Sequence, residues 1–399
     1  MHLNEIRKAH DNIKDIINKT PLLYSPIFSA INNCSLYMKC ENLQITGAYK
    51  IRGALNKIRT LSEEERNKGV VCSSAGNHAQ GVAYAAKLLG VNSTIVMPKN
   101  TPYLKVQSTK EFGGNVVLHG NCYDDAFLKA KFIESENNSV FIHPFNDINV
   151  IYGQATIALE IFEDIENIDV ILCPVGGGGL ISGISVAAKE LNPNVKIIGV
   201  QAEGANAMEQ SFKNSNIICL NSVNTIADGI AVKCPGELTF SIIKDYVDDI
   251  VTVSDKEIAE SFLILCEKHK ILAEASGAAS LAALKKLNLS GKKVVSIISG
   301  GNIDMLTISS LISDGLVERG RLFCFSVELP DTPGQLQEIS KILSELNANV
   351  VQLEHNQFKA SNRLKNVLLE VTVETNGIEH IELIKSTLNE NGFKIIQMY

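Results

Sequence analysis

A lysine in an unusual setting is the first candidate for chemistry in this sequence. Lys50 directly follows the aromatic residue Tyr49. Gly47 and Gly53, on either side, let other backbone approach closely. A lysine amine beside an aromatic ring in a partly desolvated site gives up its proton more readily than an exposed one, and then serves as a nucleophile or base, as in Schiff-base chemistry. Taken alone, the same pattern also fits an ordinary solvated helix lysine.

Two further segments have the composition of anion-binding loops. Residues 73–81 (SSAGNHAQG) and 176–179 (GGGG) each follow a predicted strand and precede a predicted helix, where free N–H groups and the helix dipole attract anions. An ordinary helix N-cap explains residues 73–81 equally well. Four consecutive glycines cost too much chain entropy for a simple turn and let amides wrap a phosphate. The glycine spacing fits neither G-x-G-x-x-G nor the Walker pattern, which favours a phosphate-bearing cofactor other than NAD or ATP.

A third segment, residues 296–302 (SIISGGN), closes the last apolar strand-like run of the main region. Open α/β sheets bind their ligands at the carboxyl ends of the strands. Ser299 is therefore a candidate to face a ligand together with the lysine and the two loops.

The elements that position these residues alternate between short β-branched runs and helical patterns. This alternation predicts an α/β fold with parallel, buried strands. The predicted strands are 70–72, 93–97, 116–118, 140–142, 170–175, 196–200, 250–253 and 294–298, and the clearest helices are 78–89, 150–162, 255–269 and 276–287.

The pattern changes after a charged, glycine-containing break at residues 314–321. Beyond it, strands at 322–329, 349–355, 365–374 and 393–398 enclose helices at 334–346 and 377–391. This β-α-β-β-α-β order predicts a small ferredoxin-like module. The break separates a main region, 1–320, from a terminal module, 321–399, and resemblance to a known enzyme family implies that the main region is catalytic, with a smaller subdomain at about 48–145.

Composition limits the possible partners and the compartment. A net charge of −7 over 399 residues argues against nucleic acid as a partner. Nine cysteines without CxxC pairs favour free thiols and a cytoplasmic location over a disulfide framework. The longest uncharged stretch, 170–188, contains a proline and five glycines, so no membrane span is expected.

Together the motifs resemble the pyridoxal-phosphate enzymes of the tryptophan-synthase-β fold type, and among them the serine/threonine dehydratases. The terminal module, with DTPGQL at 331–336, resembles an ACT domain, which binds amino acids as effectors. The matching segments run in the family's order over about 320 residues, at 47–54, 73–81, 153–160, 174–180, 225–229 and 299–302.

The resemblance implies a role for each matching residue. Lys50 would attach pyridoxal 5′-phosphate covalently and later remove the Cα proton of the substrate. The other cofactor-binding residues would be Tyr49 and Gly229 on the two faces of the ring, Asn77 at its 3′-oxygen, Ser299 at its nitrogen, and Gly176, Gly177, Gly178 and Gly179 at the phosphate. The substrate carboxylate would be bound by Ser74, Gly76, Asn77 and His78.

The resemblance also implies an activity, with alternatives. It implies conversion of L-threonine to 2-oxobutyrate and ammonia, with L-serine as a weaker substrate. Serine or 3-hydroxyaspartate dehydration remains an alternative, as does a non-catalytic, amino-acid-sensing regulatory protein. Ala75 stands where the family's serine racemases place a second base, which disfavours racemisation.

Two weaker expectations concern a cation and the assembly. Glu203, Ala207 and Glu209 match a divalent-cation site of the racemase branch, although two solvated carboxylates explain them more simply. Glu274 is either a group close to the cofactor ring or a plain helix N-terminal acid. The sheet of the terminal module needs a partner surface, so a homodimer or homotetramer is expected.

Overall fold

The computed structural model describes residues 2–362 and 364–398. It divides into two compact units, Met1–Asp304 and Met305–Tyr399. The helix Met305–Glu318 packs with the second unit and precedes residue 320, where the sequence places the domain boundary. The functional domain limits stay a prediction.

The first unit alternates helices and strands throughout. Its elements are α1 (Leu3–Ile13), β1 (Leu22–Tyr24), α2 (Pro26–Asn32), β2 (Ser35–Cys40), α3 (Lys50–Arg59), α4 (Glu63–Lys68), β3 (Val70–Ser73), α5 (Asn77–Leu88), β4 (Ser93–Met97), α6 (Tyr103–Glu111), β5 (Asn115–Leu118), α7 (Tyr123–Asn137), β6 (Val140–Phe141), α8 (Ile148–Asp164), β7 (Val170–Pro174), α9 (Gly179–Leu191), β8 (Lys196–Ala202), α10 (Ala207–Asn214), α11 (Glu237–Tyr246), β9 (Asp249–Val253), α12 (Asp255–Ile264), α13 (Ala275–Ala282) and β10 (Lys293–Ile298). Short helical turns cover Glu41–Leu43, Glu203–Ala205, Asp228–Ile230, Leu265–His269 and Ala283–Lys286.

A six-stranded sheet forms the larger part of this unit. Its strand order is β1-β2-β10-β7-β8-β9, and every pair except β1–β2 is parallel. All residues of β7 are buried, as expected for a parallel strand covered on both faces. Because β7 and β10 are neighbours, the glycine loop after β7 and the serine after β10 emerge at the same edge of the sheet.

A second, four-stranded sheet forms the smaller part, with the order β5-β4-β3-β6 and all pairs parallel. Its strands lie within the predicted subdomain at about 48–145. Residues 74–76 leave the carboxyl end of β3 and lead directly into α5. The sheet therefore presents the second anion-binding loop in the way that a strand–turn–helix unit does.

A cluster of buried charges anchors helix α3, which begins at Lys50. The Arg52 guanidinium donates to both carboxylate oxygens of Glu41 at 2.8 Å and to both of Glu160 at 2.6 and 2.9 Å. The Lys39 ammonium donates to Glu160 at 2.6 Å and to the carbonyl of Thr20 at 2.6 Å. The charged side chains are at most 2% exposed. Two cations and two anions balance, which limits the cost of burial.

The second unit contains one antiparallel sheet. Its elements are α14 (Met305–Glu318), β11 (Leu322–Pro330), α15 (Gln335–Glu345), β12 (Asn349–Asn356), β13 (Asn366–Glu374), α16 (Ile378–Glu390) and β14 (Ile395–Gln397), with a short turn at Gln357–Lys359. The strand order is β12-β13-β11-β14. Alternate residues of β11 and β13 form a core with apolar residues of α15 and α16. The predicted β-α-β-β-α-β order is present.

The α/β class with parallel sheets is confirmed, and one expectation is wrong. Cys219 and Cys234 form a disulfide, whereas the sequence favoured free thiols throughout. The two cysteines are 15 residues apart, and the turn that brings them together has no CxxC-like signature. The other seven cysteines are free. Among the described residues, no helix has the length and apolar character needed to cross a membrane.

Candidate active site

Lys50 lies at the beginning of α3, with Tyr49 as the helix N-cap. Its amine donates to the main-chain carbonyl of Pro144 at 2.9 Å and lies 5.2 Å from the centre of the Tyr49 ring. Burial lowers the pKa of Lys50 to about 8, and the nearby Glu274 carboxyl opposes this shift. A part of the lysine population therefore carries a neutral, nucleophilic amine close to neutral pH.

The segment before Lys50 is hydrogen-bonded to the residues after β10. Tyr49 N–H donates to the carbonyl of Ser299 at 3.1 Å, and Gly301 N–H donates to the carbonyl of Gly47 at 2.8 Å. Ala48 and Gly300 form an isolated antiparallel bridge between these two hydrogen bonds. The lysine and the strand-end serine, far apart in sequence, are thus held together by main-chain contacts.

Ser299 is 3% exposed, and the one hydrogen bond of its hydroxyl to a residue that the structure describes is a long contact of 3.5 Å to the carbonyl of Ser276. The hydroxyl of Ser276 is buried without a partner among the described residues. Such polar groups are rare in native structures unless a ligand or water satisfies them. Both hydroxyls are therefore available to a bound molecule.

Asn77, the first residue of α5, makes hydrogen bonds in two directions. Its amide nitrogen donates to Glu274 Oε1 at 2.8 Å, and its amide oxygen accepts from Asn302 Nδ2 at 2.8 Å. Glu274 is 6% exposed. Burial and the Asp228 charge raise the pKa of Glu274 to about 8. Asn77 thus joins helix α5 to the N-terminus of α13 and to the loop after β10.

The four glycines, Gly176, Gly177, Gly178 and Gly179, wrap the N-terminus of α9. The N–H groups of residues 176–178 make no hydrogen bond to any residue that the structure describes. A Cβ on Gly177 would lie 2.4 Å from the Phe145 ring, so only glycine fits there. Free N–H groups at a helix N-terminus form an anion site, and a phosphate is the anion that such a cup suits.

Gly229 lies on a short turn next to the same pocket. A Cβ at this position would lie 2.8 Å from the Ser276 hydroxyl and 3.2 Å from Glu274 Oε1. A Cβ on Gly176 would lie 3.1 Å from the Cα of Ile230, the residue after Gly229. The turn therefore connects the glycine cup with the acid and the serines.

The predicted carboxylate-binding residues lie at the beginning of α5. Gly76 is the helix N-cap, a Cβ added to it would meet nothing within 4 Å, and its N–H donates to the Ser74 hydroxyl at 3.3 Å. His78 is 3% exposed and contacts the carbonyl of Ile142 through Nε2 at 2.8 Å. Because a carbonyl only accepts, Nε2 carries the hydrogen. Burial, reinforced by the Lys50 charge, lowers the pKa of His78 to about 3, so the ring is neutral.

The predicted cation ligands, Glu203, Ala207 and Glu209, each interact with another residue of the protein. Glu203 contacts Lys286 at 3.4 Å, and Glu209 is paired with Lys213. The carbonyl of Ala207 accepts from the Ser211 hydroxyl at 2.6 Å. Among the described residues, no cluster of three or more histidine, cysteine or acidic side chains suits a metal ion. A site made of two carboxylates and a carbonyl stays a prediction.

One ion pair connects the two parts of the unit beside the pocket. Lys105 on α6 contacts Asp228, the neighbour of Gly229, at 2.6 Å. The Asp228 side chain is 63% exposed and that of Lys105 29% exposed. The charges of both residues act on Glu274. The pair therefore lies at the solvent side of the site.

Sequence reasoning missed two contributors from one loop. Pro144 provides the carbonyl that accepts from Lys50, and the Phe145 ring fills the space against Gly177. The available signal was the run HPFN at 143–146, which follows the carboxyl end of a strand in the small sheet. A backbone carbonyl leaves no trace in residue type, so only the position pointed to this loop.

Comparison with known proteins agrees with this geometry. The family model described as pyridoxal-phosphate dependent enzyme matches residues 13–300. The chain therefore belongs to the pyridoxal-phosphate-dependent enzymes. It is 46% identical over 394 residues to the L-threonine ammonia-lyase of Thermotoga maritima, and the match covers 98% of each chain.

Solved structures give the same result. The processed form of threonine deaminase isoform 2 from Solanum lycopersicum has a TM-score of 0.74 and 34% identity, covering 78% of this chain and 89% of that one. Maize serine racemase has a TM-score of 0.75 and 38% identity, covering 80% of this chain and 98% of that one. The predictions of a tryptophan-synthase-β-type fold, an enzyme and a pyridoxal-phosphate cofactor are confirmed.

The residues present fit this cofactor. The free N–H groups of 176–178 suit its phosphate, and the unpartnered, buried hydroxyl of Ser276 offers a hydrogen bond to a polar group of a ligand. The Lys50 amine suits its aldehyde. These donors come from separate loops that the two sheets bring to one pocket.

Proposed function

We propose that this enzyme converts L-threonine to 2-oxobutyrate and ammonia, with conversion of L-serine to pyruvate as a weaker activity. The observation that carries the proposal is the half-buried Lys50 amine, whose pKa is lowered to about 8 and which donates to Pro144, the neighbour of the Phe145 ring that packs against the glycine cup. Relatives named L-threonine ammonia-lyase, 43–46% identical over 98% of this chain, support the choice of substrate.

In this proposal the cofactor is held by the residues that sequence motifs single out. Gly176 to Gly179 would bind the phosphate, Tyr49 and Gly229 would hold the two faces of the ring, and Ser299 would serve the ring nitrogen. Asn77 would donate to the 3′-oxygen. The bound cofactor supplies an electron sink for the pair released at Cα. Because a serine hydroxyl offers no compensating charge to a ring nitrogen, Ser299 would leave the cofactor a moderate electron sink, which would favour prompt loss of the β-hydroxyl.

Lys50 then acts as the base. Its neutral amine takes the Cα proton of threonine, and the ammonium so formed gives a proton to the β-hydroxyl, which leaves as water. The 2-aminobut-2-enoate product tautomerises and takes up one water on hydrolysis, so the net products are 2-oxobutyrate and ammonia. The Pro144 carbonyl holds the amine when it is not engaged with a ligand. Burial of the amine keeps enough of it unprotonated for this task.

The substrate carboxylate is assigned to the beginning of α5. Ser74, Gly76 and Asn77 offer a hydroxyl, N–H groups and an amide at a helix N-terminus, where the dipole favours an anion. His78 belongs to the same predicted set. Its ring is neutral and its Nε2–H is committed to Ile142, so we assign it the role of shaping this end of the pocket.

Two alternatives differ in substrate or in class. A serine or 3-hydroxyaspartate dehydratase would use the same residues with another side-chain pocket, and a methyl group alone is worth only about 1–3 kcal/mol. The pairing of Lys105 with Asp228 argues against a second substrate carboxylate, because this cation is already neutralised. A non-catalytic, amino-acid-sensing protein has no need of the intact Lys50, Asn77 and glycine cup.

The second unit is proposed to be an ACT domain that binds an amino-acid effector. Gly334, at φ +100°, is the N-cap of α15 and exposes N–H groups suited to a carboxylate. The edge strand β12 carries exposed apolar side chains, Val350, Val351 and Leu353. Edge pairing with a second copy would cover them, so we propose a homodimer or homotetramer. A cytoplasmic location and a divalent cation at Glu203, Ala207 and Glu209 remain part of the proposal.

An oxo-acid assay across L-threonine, L-serine and 3-hydroxyaspartate tests the activity. We expect 2-oxobutyrate from threonine at the highest kcat/KM. Lys50→Ala is expected to lower turnover at least 1,000-fold, an order-of-magnitude figure for loss of a catalytic nucleophile and base. Lys8→Ala, which changes an exposed lysine paired with the exposed Glu5, is the matched control. Wild-type release of 2-oxobutyrate by Lys50→Ala would overturn the assignment.

A further inference from the structure

Four side chains from three parts of the first unit form one continuous hydrogen-bonded chain. Asn302 Nδ2 donates to Asn77 Oδ1 at 2.8 Å and is 3.0 Å from Gln80 Oε1. Asn77 Nδ2 in turn donates to Glu274 Oε1 at 2.8 Å. Asn77 is the member of this chain that the proposed function assigns to the cofactor. Asn302 and Gln80 have no role described so far, and Glu274 has been placed near the cofactor ring without a defined task.

The direction of this chain is fixed at one end by the backbone. Asn302 Nδ2 is 2.7 Å from the main-chain carbonyl of Thr46, and a carbonyl can only accept. The nitrogen of the Asn302 amide must therefore face this cluster, which leaves Asn77 to turn its oxygen toward Asn302. The amide nitrogen of Asn77 must then point toward Glu274.

The structure also explains why Asn302 can approach so closely. Gly47 has φ +71°, and a Cβ there would lie 2.2 Å from Asn302 Oδ1. Gly301 N–H, next to Asn302, donates to the carbonyl of Gly47 at 2.8 Å. The backbone therefore holds Asn302 from both sides, and its amide has little freedom to rotate.

The other end of the chain is a buried acid. Glu274 Oε1 accepts from Asn77, and a Cβ on Gly300 would lie 2.7 Å from the same oxygen and 3.1 Å from Asn77 Nδ2. An amide nitrogen carries two hydrogens, so one remains after this bond. A protonated carboxyl accepts or donates, whereas Asn302 only donates toward Asn77. Asn302 therefore determines which way the Asn77 amide is turned, and Glu274 accepts the hydrogen bond that this orientation provides.

We propose that Asn302 and Glu274 are positioning residues that hold the Asn77 amide with its NH₂ group turned toward the cofactor pocket. This inference rests on the proposed function only for the identity of the group that Asn77 meets. Reversing the amide would turn its oxygen toward an electron-rich oxygen of the ligand. These hydrogen bonds, made outside the pocket, thus determine that Asn77 acts as a donor and not as an acceptor toward the cofactor.

Asn302→Asp tests the proposal because it replaces a donor by a carboxylate of the same shape. At pH 8, facing a carboxylate, the Asn77 amide is expected to rotate by 180°. We expect the dissociation constant for pyridoxal phosphate, measured by absorbance titration of the cofactor-free protein, to rise at least tenfold. The absorbance maximum of the bound cofactor is expected to shift, since its 3′-oxygen loses a donor.

Glu274→Gln serves as the conservative comparison. Its side-chain carbonyl still accepts from Asn77, so cofactor affinity is expected to stay within threefold of wild type. Asn77→Asp, which removes the donor altogether, sets the loss expected from a fully reversed amide. Asn32→Asp is the matched control, because the Asn32 amide also donates to a backbone carbonyl, that of Phe28, within α2.

The double variant Asn302→Asp with Glu274→Gln separates positioning from a merely structural role. In it, the glutamine amide introduced at position 274 can donate to the reversed Asn77 oxygen and restore the chain in the opposite direction. We expect Asn302→Asp to lower the melting temperature and the double variant to recover part of that loss. Its cofactor affinity is expected to stay at least tenfold below that of wild type. Joint recovery of melting temperature and affinity would overturn the proposal.

Two further results would also overturn it. One is cofactor affinity of Asn302→Asp within threefold of wild type. The other applies if Asn302→Asp does not fold. In that case Glu274→Ala is expected to weaken cofactor binding at least fivefold. A cofactor affinity of Glu274→Ala equal to that of wild type would contradict the positioning role. All these readouts are cofactor affinity, cofactor absorbance or melting temperature, so a different substrate for the enzyme would leave them unchanged.

Discussion

Glu274 and Lys50 lie in one pocket and respond to burial in opposite directions. Burial, reinforced by Asp228, raises the pKa of the acid to about 8, while burial lowers the pKa of the lysine to about 8. Asn77, Lys105 and Lys50 act against the shift of Glu274. At neutral pH both groups are therefore largely protonated. Glu274 then places no unpaired negative charge in the pocket.

This environment predicts a pH-dependent stability that traces to Glu274. The folded-state pKa lies above the unfolded value, so the contribution of Glu274 is fully present below pH 4.5 and is lost as the pH rises to about 8. In cofactor-free protein, the stability of Glu274→Gln is expected not to show this decline as the pH rises. The difference in unfolding free energy between variant and wild type should grow by a few kcal/mol from pH 5 to pH 8.5, since one pKa unit is about 1.4 kcal/mol.

Urea unfolding at several pH values measures this difference. Glu63→Gln, at an exposed acid in the first turn of α4, is the control and should keep the wild-type pH dependence. An unchanged pH dependence in Glu274→Gln would show that the acid ionises in the folded protein as easily as in the unfolded chain.

The residue scale also shows what the sequence can and cannot reveal. Lys50, Asn77, Ser299 and the glycines were within reach because each stands in a contiguous motif, and Asn77, Ser299 and the glycine cup also come just after a strand. The contact between Asn302 and Asn77 joins positions 225 residues apart. No local pattern encodes such a pair. The carbonyl of Pro144 is a main-chain group that every residue possesses, so its part in the site appears only in three dimensions.

At the scale of elements, helix α3 depends on the buried ion cluster for its placement. Arg52, two residues after Lys50, is fully buried and bridges Glu41 and Glu160. Through these partners the helix is bonded to the turn after β2 and to α8. The position of the Lys50 amine therefore follows from a set of charges in the core below it.

Arg52→Met is expected to destabilise the protein by about 3–5 kcal/mol, because it leaves two buried carboxylates short of a partner. Arg59→Met, on the same helix, removes an ion pair with Asp15, whose side chain is 60% exposed, and is expected to cost about 1 kcal/mol. Chemical unfolding of both variants measures the contrast. Equal losses would mean that burial of the Arg52 pairs adds nothing.

Element boundaries were predictable where hydrophobic patterns were long and less so at short strands. The parallel strands β7 and β10 appear almost as predicted, because continuous apolar runs flanked by glycine are unambiguous. Strand β6 has two residues and β14 three, shorter than the predicted strands at 140–142 and 393–398. Pairing partners, and not residue type, decide where such edge strands end. The Cys219–Cys234 disulfide was missed for the same reason, since proximity was not encoded locally.

At the scale of the whole molecule, the second unit is the proposed site of regulation. We expect isoleucine or valine to change the threonine concentration at half-saturation at least fivefold, a coupling of about 1 kcal/mol, within the usual range for allosteric effects. By linkage, threonine must change the effector's affinity by the same factor. Titration of the intact enzyme with isoleucine, valine and leucine measures this coupling.

Gly334→Ala is expected to weaken the effector response, because an added side chain is strained at φ +100°. Gly291→Ala is the matched control: Gly291 has φ +71°, and a Cβ there meets nothing within 4 Å. A threonine saturation curve that none of the three amino acids moves would rule out branched-chain regulation and leave the module an assembly or other sensing role.

The two kinds of ion pair in the first unit respond differently to dissolved salt. Mobile ions screen exposed charges within a Debye length of about 8 Å at physiological ionic strength, but they do not enter a sealed core. The pair of Lys105 with the exposed Asp228 weakens as salt is added, whereas the contacts of Arg52 with Glu41 and Glu160 do not. Added salt therefore weakens the exposed ion pair beside the pocket and leaves unchanged the buried ion pairs that position Lys50.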